Sequence, residues 1–340
     1  MQQKLKERLI GVFAKFIEQP KIEKKLVELI WGSEKANKNI TNGLNPYFSH
    51  TSNAAISERD DIVFVTSRFR SGSTLLWNLF RETGLCTSYY EPFNERRWFD
   101  SDLRGENIDK THLGVANYWA EFDNMEDLDQ FFEEDWIRHN LMMDESSINM
   151  KMKSYIEQLV SRANKRPVLQ FNRIDFRLSW IKQNFPNAKI LHLYRHPRDQ
   201  WCSFLTDSKV MNKDQVQDTY RDAFYLDLWC ADLYKHFPIL DKKITPHPYQ
   251  RFYYLWKLSY LYGKQYSDLS ISFENLTTDT VNVIGKIMQT IKLDNVPIEK
   301  LCNIVSPPAP ERWKNYADEE WFSKHEKVCE RNLNLILAKT

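Results

Sequence analysis

The sequence predicts an α/β fold in which helices flank a parallel sheet. Two segments, Ile62–Val65 and Ile190–Tyr194, are mainly apolar runs of the kind found in strands that are buried on both faces. Each run passes into a polar turn and then into a helical pattern, which is the chain order of a parallel strand–helix unit. The predicted strands are residues 62–66, 86–90, 167–171 and 189–194, with 269–273 as a candidate fifth strand.

The turn after the first predicted strand is rich in hydrogen-bond donors. It reads "SRFRSGST" from Ser67 to Thr74, in a chain with only 9 glycines among 340 residues. Apolar residues then recur at helical spacing, and Gly84 stands where a helix C-terminal cap is expected. Such a turn aims backbone N–H groups and the positive end of a helix dipole at one point, which favours a bound phosphate. An ordinary turn capped by serine is the alternative, but it would not require Arg70.

This phosphate loop differs from the common nucleotide-binding loops. A nucleotide hydrolase carries G-x-x-x-x-G-K-[ST], whose lysine reaches the terminal phosphates and whose Ser or Thr holds magnesium. No lysine follows Gly72 here, and no G-x-G-x-x-G is present. The loop is therefore expected to bind a phosphate without a metal.

A second phosphate-binding turn is predicted in "KILHLYRHPRDQWCSF", residues 189–204. Arg195 ends the strand pattern, and Pro197 favours the start of a helix. Ser203 lies early enough on that helix to face the same strand end. Ligands of parallel sheets bind outside the carboxyl ends of the strands. Two such turns therefore predict one ligand with two separated phosphates.

Composition excludes several other functions. Lys and Arg number 47 against 46 Asp and Glu, a formal net charge of +1, which gives no support for a dedicated nucleic-acid binder. The five cysteines are widely spread, as in a reduced cytoplasmic protein. Neither a signal peptide nor an apolar run of eighteen residues is present, so a cytoplasmic location is expected. His192 and His196 lack metal-ligand spacing, and the sequence gives no indication of the oligomeric state.

The chain is interpreted as a single domain, residues 1–340, with three additions to the sheet. Residues 1–60 should form N-terminal helices and a connector. The first helix is amphipathic and basic, and it either packs on its own domain, the favoured interpretation, or contacts a membrane surface. Residues 100–165 and 215–265 are predicted helical inserts on the acceptor side. The aromatic stretch "YQRFYYLWKLSYLYG" in the second insert is interpreted mainly as core.

Four motifs resemble those of sulfotransferases that use 3′-phosphoadenosine 5′-phosphosulfate (PAPS). "SRFRSGSTLL" resembles their 5′-phosphosulfate loop, and "YRHPRDQWCS" is similar to their 3′-phosphate motif, R-x-P-[RK]-x-x-x-x-S. "SFENL" is similar to their Y-E-D-L strand, and "ERWKNY" to the D-W-K-N element that closes over the cofactor. The matched pieces cover roughly residues 62–96, 167–207, 268–276 and 306–316. Phe69 replaces the proline that is common at its position.

The resemblance implies a sulfotransferase fold with a P-loop-like sheet, PAPS as co-substrate, PAP as product and no metal. Arg70 would contact the 5′-phosphate and the oxygen that bridges to sulfur, so it would also serve catalysis. Arg195 and Ser203 would hold the 3′-phosphate, and Phe273 would lie near adenine. The other cofactor-binding residues implied are Arg68, Ser71, Gly72, Ser73, Thr74, Trp313 and Lys314.

Transfer to a hydroxyl also needs a base within hydrogen-bond reach. Glu91, in "SYYEPFNERRWF", follows a predicted strand beside the phosphate loop, where carbohydrate-type sulfotransferases place a Glu-Pro. Glu95 is the second candidate, and a surface ion pair is the alternative for both. His112, in "DKTH", resembles the Lys-Thr-His of small-molecule sulfotransferases but has no strand before it, so we interpret it as a chance match.

Two arginines leave the third predicted strand beside the same edge. Arg173 and Arg177 are expected to meet an anionic acceptor or the cofactor, or to form surface salt bridges. The Glu-Pro signature favours a sugar or glycolipid hydroxyl as acceptor, with an amine as second choice. A P-loop nucleotide kinase and a non-catalytic nucleotide-binding protein are the alternative functions.

Overall fold

The computed structural model of the protein describes residues 54–104, 115–306 and 311–337. Its centre is a five-stranded sheet with the strand order β2-β3-β1-β4-β5, in which every neighbouring pair is parallel. This confirms the predicted α/β fold, including the candidate fifth strand. The strands are β1 (Val63–Ser67), β2 (Cys86–Tyr90), β3 (Arg166–Phe171), β4 (Lys189–Tyr194) and β5 (Leu269–Ser272).

Helices surround the sheet on both faces. The α-helices are α1 (Ala54–Ser57), α2 (Ser73–Glu82), α3 (Asp135–Arg138), α4 (Met150–Arg162), α5 (Leu178–Asn184), α6 (Pro197–Phe204), α7 (Val216–Thr219), α8 (Leu226–Leu233), α9 (Pro248–Tyr266), α10 (Phe273–Thr278), α11 (Thr280–Ile291), α12 (Ile298–Cys302) and α13 (Glu319–Leu337). The 3₁₀ helices are Ala120–Phe122, Glu126–Phe131, Asp175–Arg177, Pro238–Leu240 and Arg312–Asn315. Within the described residues, no helix is long and apolar enough to cross a membrane.

Strand β1 occupies the middle of the sheet because its side chains are apolar on both faces. Phe64 packs into an aromatic cluster on one face, whereas Val63 and Val65 pack into an aliphatic cluster on the other. Val63 pairs with Val168 of β3 and with Lys189 of β4. The carboxyl ends of these strands therefore lie at one edge of the sheet.

The segments around the sheet are mainly aromatic core. Most of the aromatic stretch at 249–263 is buried in helix α9, where Tyr249 and Phe252 pack with Trp201. Phe273, predicted at the end of the fifth strand, is instead the first residue of α10, because Ser272 caps that helix by accepting a hydrogen bond from the Asn275 amide. The division into a single domain with inserts remains a prediction. The N-terminal helix and His112 lie outside the described residues.

Candidate active site

Four turns with polar side chains meet at the carboxyl edge of the sheet. Strand β1 leads into the loop at 68–72, and β4 leads into Arg195. Strand β2 leads into Glu91, and β3 leads into Asn172. Because these strands are parallel and adjacent, their first following residues lie beside one another, which is the usual ligand position of such sheets.

The loop after β1 forms a cradle at the start of helix α2. Arg70 and Gly72 both have positive φ angles, 66° and 95°, so the backbone curls inwards. The Ser71 hydroxyl fixes the curl by donating to the Arg68 carbonyl at 2.6 Å. Gly72 is the N-cap residue, and no described side chain caps the helix. The first N–H groups of α2 therefore favour an anion.

Gly72 also allows Phe273 to approach the loop closely. A Cβ at position 72 would lie 2.2 Å from Cδ2 of Phe273 and 2.3 Å from its Cε2. No larger residue fits there unless the ring moves. The Arg195 guanidinium lies over the same ring, with Cζ 4.9 Å from the ring centre.

The two predicted phosphate turns come together. Nε of Arg70 donates to the backbone carbonyl of Ser203 at 3.0 Å and to its hydroxyl at 3.2 Å. An Nη1 hydrogen of Arg195 is donated to the Arg70 carbonyl at 3.2 Å. Three residues that lie up to 133 positions apart in the chain thus form one contact group.

Arg195 is a buried cation that lacks a full set of partners. It is only 7% exposed, and its Nε has no hydrogen-bond partner among the described residues. Burial lowers the pKa of Arg195; the charges of Arg70 and Arg312 lower it further, against the attraction of Asp199 and Glu274. A bound anion would stabilise this group of neighbouring positive charges.

Neighbouring side chains hold the two turns in place. The Trp256 indole N–H donates to the Arg195 carbonyl at 3.0 Å, and the Gln200 amide donates to the Phe69 carbonyl at 2.7 Å. Helix α6, which carries Gln200 and Ser203, is tied to helix α13 because Arg198 pairs with Glu319 and Glu326.

The other side of the loop carries a buried carboxylate. Glu91 is 5% exposed and has a φ of 39°, which is uncommon for a residue other than glycine. Its carboxylate accepts hydrogen bonds from Asn172, from Asn94 at 2.9 Å and from Arg173 at 2.9 Å. Asn172 in turn accepts from the Ser67 hydroxyl at 3.0 Å, which connects Glu91 to the end of β1.

Arg173 bridges the two candidate base residues. Its side chain is 2% exposed and donates to Glu91 and, at 2.8 Å, to Glu95, whose side chain is 41% exposed. Its guanidinium also lies over the Phe69 ring, 5.0 Å from the centre. Arg177, in contrast, is fully buried and donates to the backbone carbonyls of Trp136, His139, Asn140 and Arg173. It therefore has a structural role in this conformation.

Several predicted site residues have other partners in this conformation. Arg68 pairs with Asp175 at 3.0 Å and lies over the Trp229 ring. Ser73 is buried in the first turn of α2, and the Thr74 hydroxyl lies 3.0 Å from that of Tyr90. Trp313 packs on Arg198, and its amide donates to Asp199. Lys314 is exposed and pairs with Glu311. Their roles at the site remain predictions.

Sequence reasoning missed three residues of this arrangement. Asn172 directly follows a predicted strand, so its position at the sheet edge was a usable signal. Gln200 lies inside the second motif, but at a position where the motif allows any residue. Arg312 precedes Trp313 in "ERWKNY", and nothing in the sequence indicates that its charge acts on Arg195. Within the described part of the chain, no three His, Cys, Asp or Glu side chains could together hold a metal ion.

Comparisons with known proteins identify the family. The sulfotransferase domain of the Synechococcus PCC 7002 olefin synthase is 16% identical over 77% of this chain and 82% of that chain, with a TM-score of 0.36. The sulfotransferase STF9 from Mycobacterium avium is 13% identical over 82% of this chain and 77% of that chain, with a TM-score of 0.43. No curated protein matches this chain significantly. The sequence model of the sulfotransferase family matches residues 62–297, more than half of the chain. This chain therefore belongs to the sulfotransferase family.

Proposed function

We propose that the protein transfers a sulfuryl group from PAPS to a hydroxyl of a carbohydrate or glycolipid, with an amine acceptor as second choice. The observation that carries the proposal is the meeting of the two phosphate turns. Arg70 contacts Ser203, and Arg195 contacts the Arg70 backbone, so the residues assigned to the two phosphates lie side by side. Such an arrangement suits a ligand with separate 3′- and 5′-phosphates.

The residues present fit a nucleoside bisphosphate. The unpartnered Nε of Arg195 offers a donor that burial has already removed from water. No side chain caps the first turn of α2, and Gly72 lets the Phe273 ring pack directly against the loop, since a Cβ there would meet that ring. In this proposal Arg195 and Ser203 hold the 3′-phosphate, and Phe273 lies near adenine. Trp313 and Lys314 close over the nucleotide, and Arg68 completes the loop.

Bound PAPS would supply the reactive sulfuryl group and a bisphosphate leaving group. Negative charge develops on the leaving oxygen in such a displacement, and fixed donors aimed at that charge lower the barrier. Arg70 and the amides of Ser71, Gly72, Ser73 and Thr74 would provide these donors. Their backbone positions are set before the ligand binds, which limits the cost of reorganisation.

Glu91 is the proposed base. It begins the turn after β2, and Asn172 links it to the end of β1. Its positive φ is a local strain of about 1–3 kcal/mol, a feature that often accompanies functional positions. Glu95 is the second candidate because its carboxylate is far more exposed. Arg173 would orient both groups.

Thermal unfolding with different ligands tests the proposal. PAP at a hundred times its Kd should stabilise the folded protein by about 2.7 kcal/mol in a buffer that contains a metal chelator. ATP with magnesium at the same concentration should give a smaller shift. A larger shift with ATP and magnesium would favour the nucleotide-kinase alternative and contradict the proposal.

Replacement of Glu91 or Glu95 by glutamine, its neutral isostere, distinguishes between the two candidate bases and tests whether the protein is catalytic at all. Glu91→Gln should lower the rate of sulfuryl transfer from labelled PAPS by about 10²–10⁴-fold while PAP binding is retained. If Glu95→Gln has this effect and Glu91→Gln does not, the base is Glu95. If no transfer to any glycoside or amine is found although PAP binds, the protein is a nucleotide-binding protein and the catalytic proposal is wrong.

A further inference from the structure

We propose that Phe69, Phe224 and Tyr225 form an acceptor wall, and that this wall, together with Glu95, selects a neutral ring-shaped acceptor over an anionic one. The inference rests on the proposed function, because it places the acceptor beside the proposed PAPS site. Beyond that function, it specifies which residues contact the acceptor and that the acceptor is uncharged. A neutral hexopyranoside has the required chemistry.

The acceptor wall is a continuous set of aromatic rings attached to the phosphate loop. Phe69 stacks on Trp229 at 5.4 Å between ring centres and 15° between planes. The Phe69 ring centre is 5.7 Å from that of Phe224 and 6.2 Å from that of Tyr225. Trp229 is buried beneath the others, whereas Phe69, Phe224 and Tyr225 are only partly buried. The wall is therefore supported by a buried ring, and part of its own surface is exposed to solvent.

The position of the wall follows from the order of the strands. Arg195 and Phe273 follow β4 and β5, so they lie on one side of the loop at the end of β1. Glu91 and Arg173 follow β2 and β3, so they lie on the other side. Arg173 contacts the rings of Phe69 and Tyr225, with Cζ at 5.0 and 5.6 Å from their centres. The wall therefore extends from the side of the candidate base to the edge of the proposed nucleotide side, where Cζ of Arg70 lies 5.7 Å from the centre of the Phe224 ring.

The charges beside the wall favour a neutral acceptor. Arg68 is paired with Asp175, so its charge is already balanced. Arg173 is a single cation between the two carboxylates of Glu91 and Glu95. This group carries one negative charge in excess, and its more exposed carboxylate is Glu95. Two further cations lie near the wall: Arg70, over the Phe224 ring, would face a phosphate of the bound nucleotide, and Arg138 is paired with Glu134. An anionic acceptor would meet the charge of Glu95 directly, whereas neutral hydroxyls could donate hydrogen bonds to it.

Tyr225 joins the aromatic and the acidic parts of this surface. Burial raises the pKa of Tyr225. The carboxylate of Glu95, which the Tyr225 hydroxyl contacts, raises it further. The Tyr225 backbone has a φ of 62°, a strained value for an aromatic residue. Tyr225 therefore places a partly buried aromatic ring, which stacks on Trp229, beside a carboxylate. A sugar ring has an apolar face, which can pack on aromatic rings, and hydroxyl groups, which can donate hydrogen bonds to the carboxylate. Ligand sites that combine aromatic rings with a few polar groups suit such a molecule.

A matched pair of glycosides tests the charge preference. p-Nitrophenyl β-glucoside and p-nitrophenyl β-glucuronide differ only in a hydroxymethyl group against a carboxylate. Binding of each to the PAP-loaded protein is measured by calorimetry. We expect the glucoside to bind at least about tenfold more tightly. Equal binding, tighter binding of the glucuronide, or binding of neither glycoside would overturn the inference.

Two variants assign the preference to the residues named. Glu95→Gln should reduce the difference between the two glycosides to less than about threefold, whereas the control Asp127→Asn should leave it unchanged. Asp127 is also an exposed carboxylate paired with an arginine, Arg162. An unchanged difference in Glu95→Gln, or an equal change in the control, would contradict the role of Glu95.

Phe224→Leu tests the wall itself. Loss of the ring should weaken glucoside binding by about three- to tenfold, the value of one aromatic contact. The control Phe237→Leu removes a partly buried ring that packs on Phe176 and Tyr262 and should leave binding unchanged. Phe237→Leu should also leave the thermal shift caused by PAP unchanged. Glucoside binding to Phe224→Leu is measured at saturating PAP, because Arg70 lies over the Phe224 ring. If wild-type protein gives no PAP shift, the proposed function fails; if PAP binds and Phe224→Leu leaves glucoside binding unchanged, only the wall fails.

Discussion

Replacement of Arg195 by alanine should weaken PAP binding by about ten- to a hundredfold. The guanidinium is 7% exposed, lies 4.9 Å from the ring centre of Phe273 and has an Nε without a partner among the described residues. A lost hydrogen bond to a charged group costs about 1.5–3 kcal/mol, and 1.4 kcal/mol is a tenfold change in Kd. Titration calorimetry at fixed ionic strength measures this change on folded protein.

A buried arginine elsewhere in the chain provides the control. Arg251 is 1% exposed, and its Nε also lacks a partner among the described residues, but it pairs with Asp227. Arg251→Ala should lower the unfolding temperature and leave the Kd for PAP within about twofold. Arg195→Lys should give an intermediate Kd, because it keeps the charge but loses the planar fork of donors. Unchanged affinity in Arg195→Ala, or an equal loss in Arg251→Ala, would refute the reasoning.

Two further predictions concern the loop glycine and the pH dependence of stability. Gly72→Ala should reduce PAP affinity by more than about tenfold in calorimetry. The new Cβ would lie 2.2 Å from Phe273, and the φ of +95° is strained for any residue with a side chain. The control is Gly285→Ala, whose Cβ would meet no atom within 4 Å and which should bind PAP normally. Burial lowers the pKa of His192 to about 3, below the value near 6.5 of an unfolded histidine. The unfolded chain therefore binds more protons below pH 6.5, and His192 alone should lower the free energy of unfolding by up to about 1.4 kcal/mol per pH unit as the pH drops from 6.5 to 5. His247 and His325, whose pKa values burial also lowers, add to this slope. Urea unfolding at several pH values measures this slope, and a slope that is the same in His192→Asn would contradict the assignment.

Much of the sheet could be predicted because its strands are apolar on both faces. The runs around Val63 and Ile190 are mainly apolar on both faces, which is typical of interior strands, and His192, the histidine in the second run, is itself buried. The turns that follow them carry arginine and serine, and parallel pairing necessarily brings such turns to one edge. The contact between Arg70 and Ser203 was therefore predictable in outline, although its distance was not.

The acidic side of the site could be predicted only in part. The sequence places Glu91 after a strand, but its partners Asn94, Asn172 and Arg173 come from separate turns whose relative positions depend on tertiary packing. Phe273 shows the same limit. Its strand-like context gave no sign that Ser272 would cap a helix there, because a single side-chain hydrogen bond decides the outcome.

Comparison of PAP with 5′-AMP tests most directly whether the two turns form one bisphosphate site. The two ligands differ only in the 3′-phosphate, which we assign to Arg195 and Ser203. In calorimetry with chelator, wild-type protein should bind PAP at least about tenfold more tightly than 5′-AMP. Arg195→Ala should lower this preference by about tenfold or more, while the Kd for 5′-AMP stays that of the wild type. Equal affinity of the wild type for both ligands, or an undiminished preference for PAP in Arg195→Ala, would contradict the account.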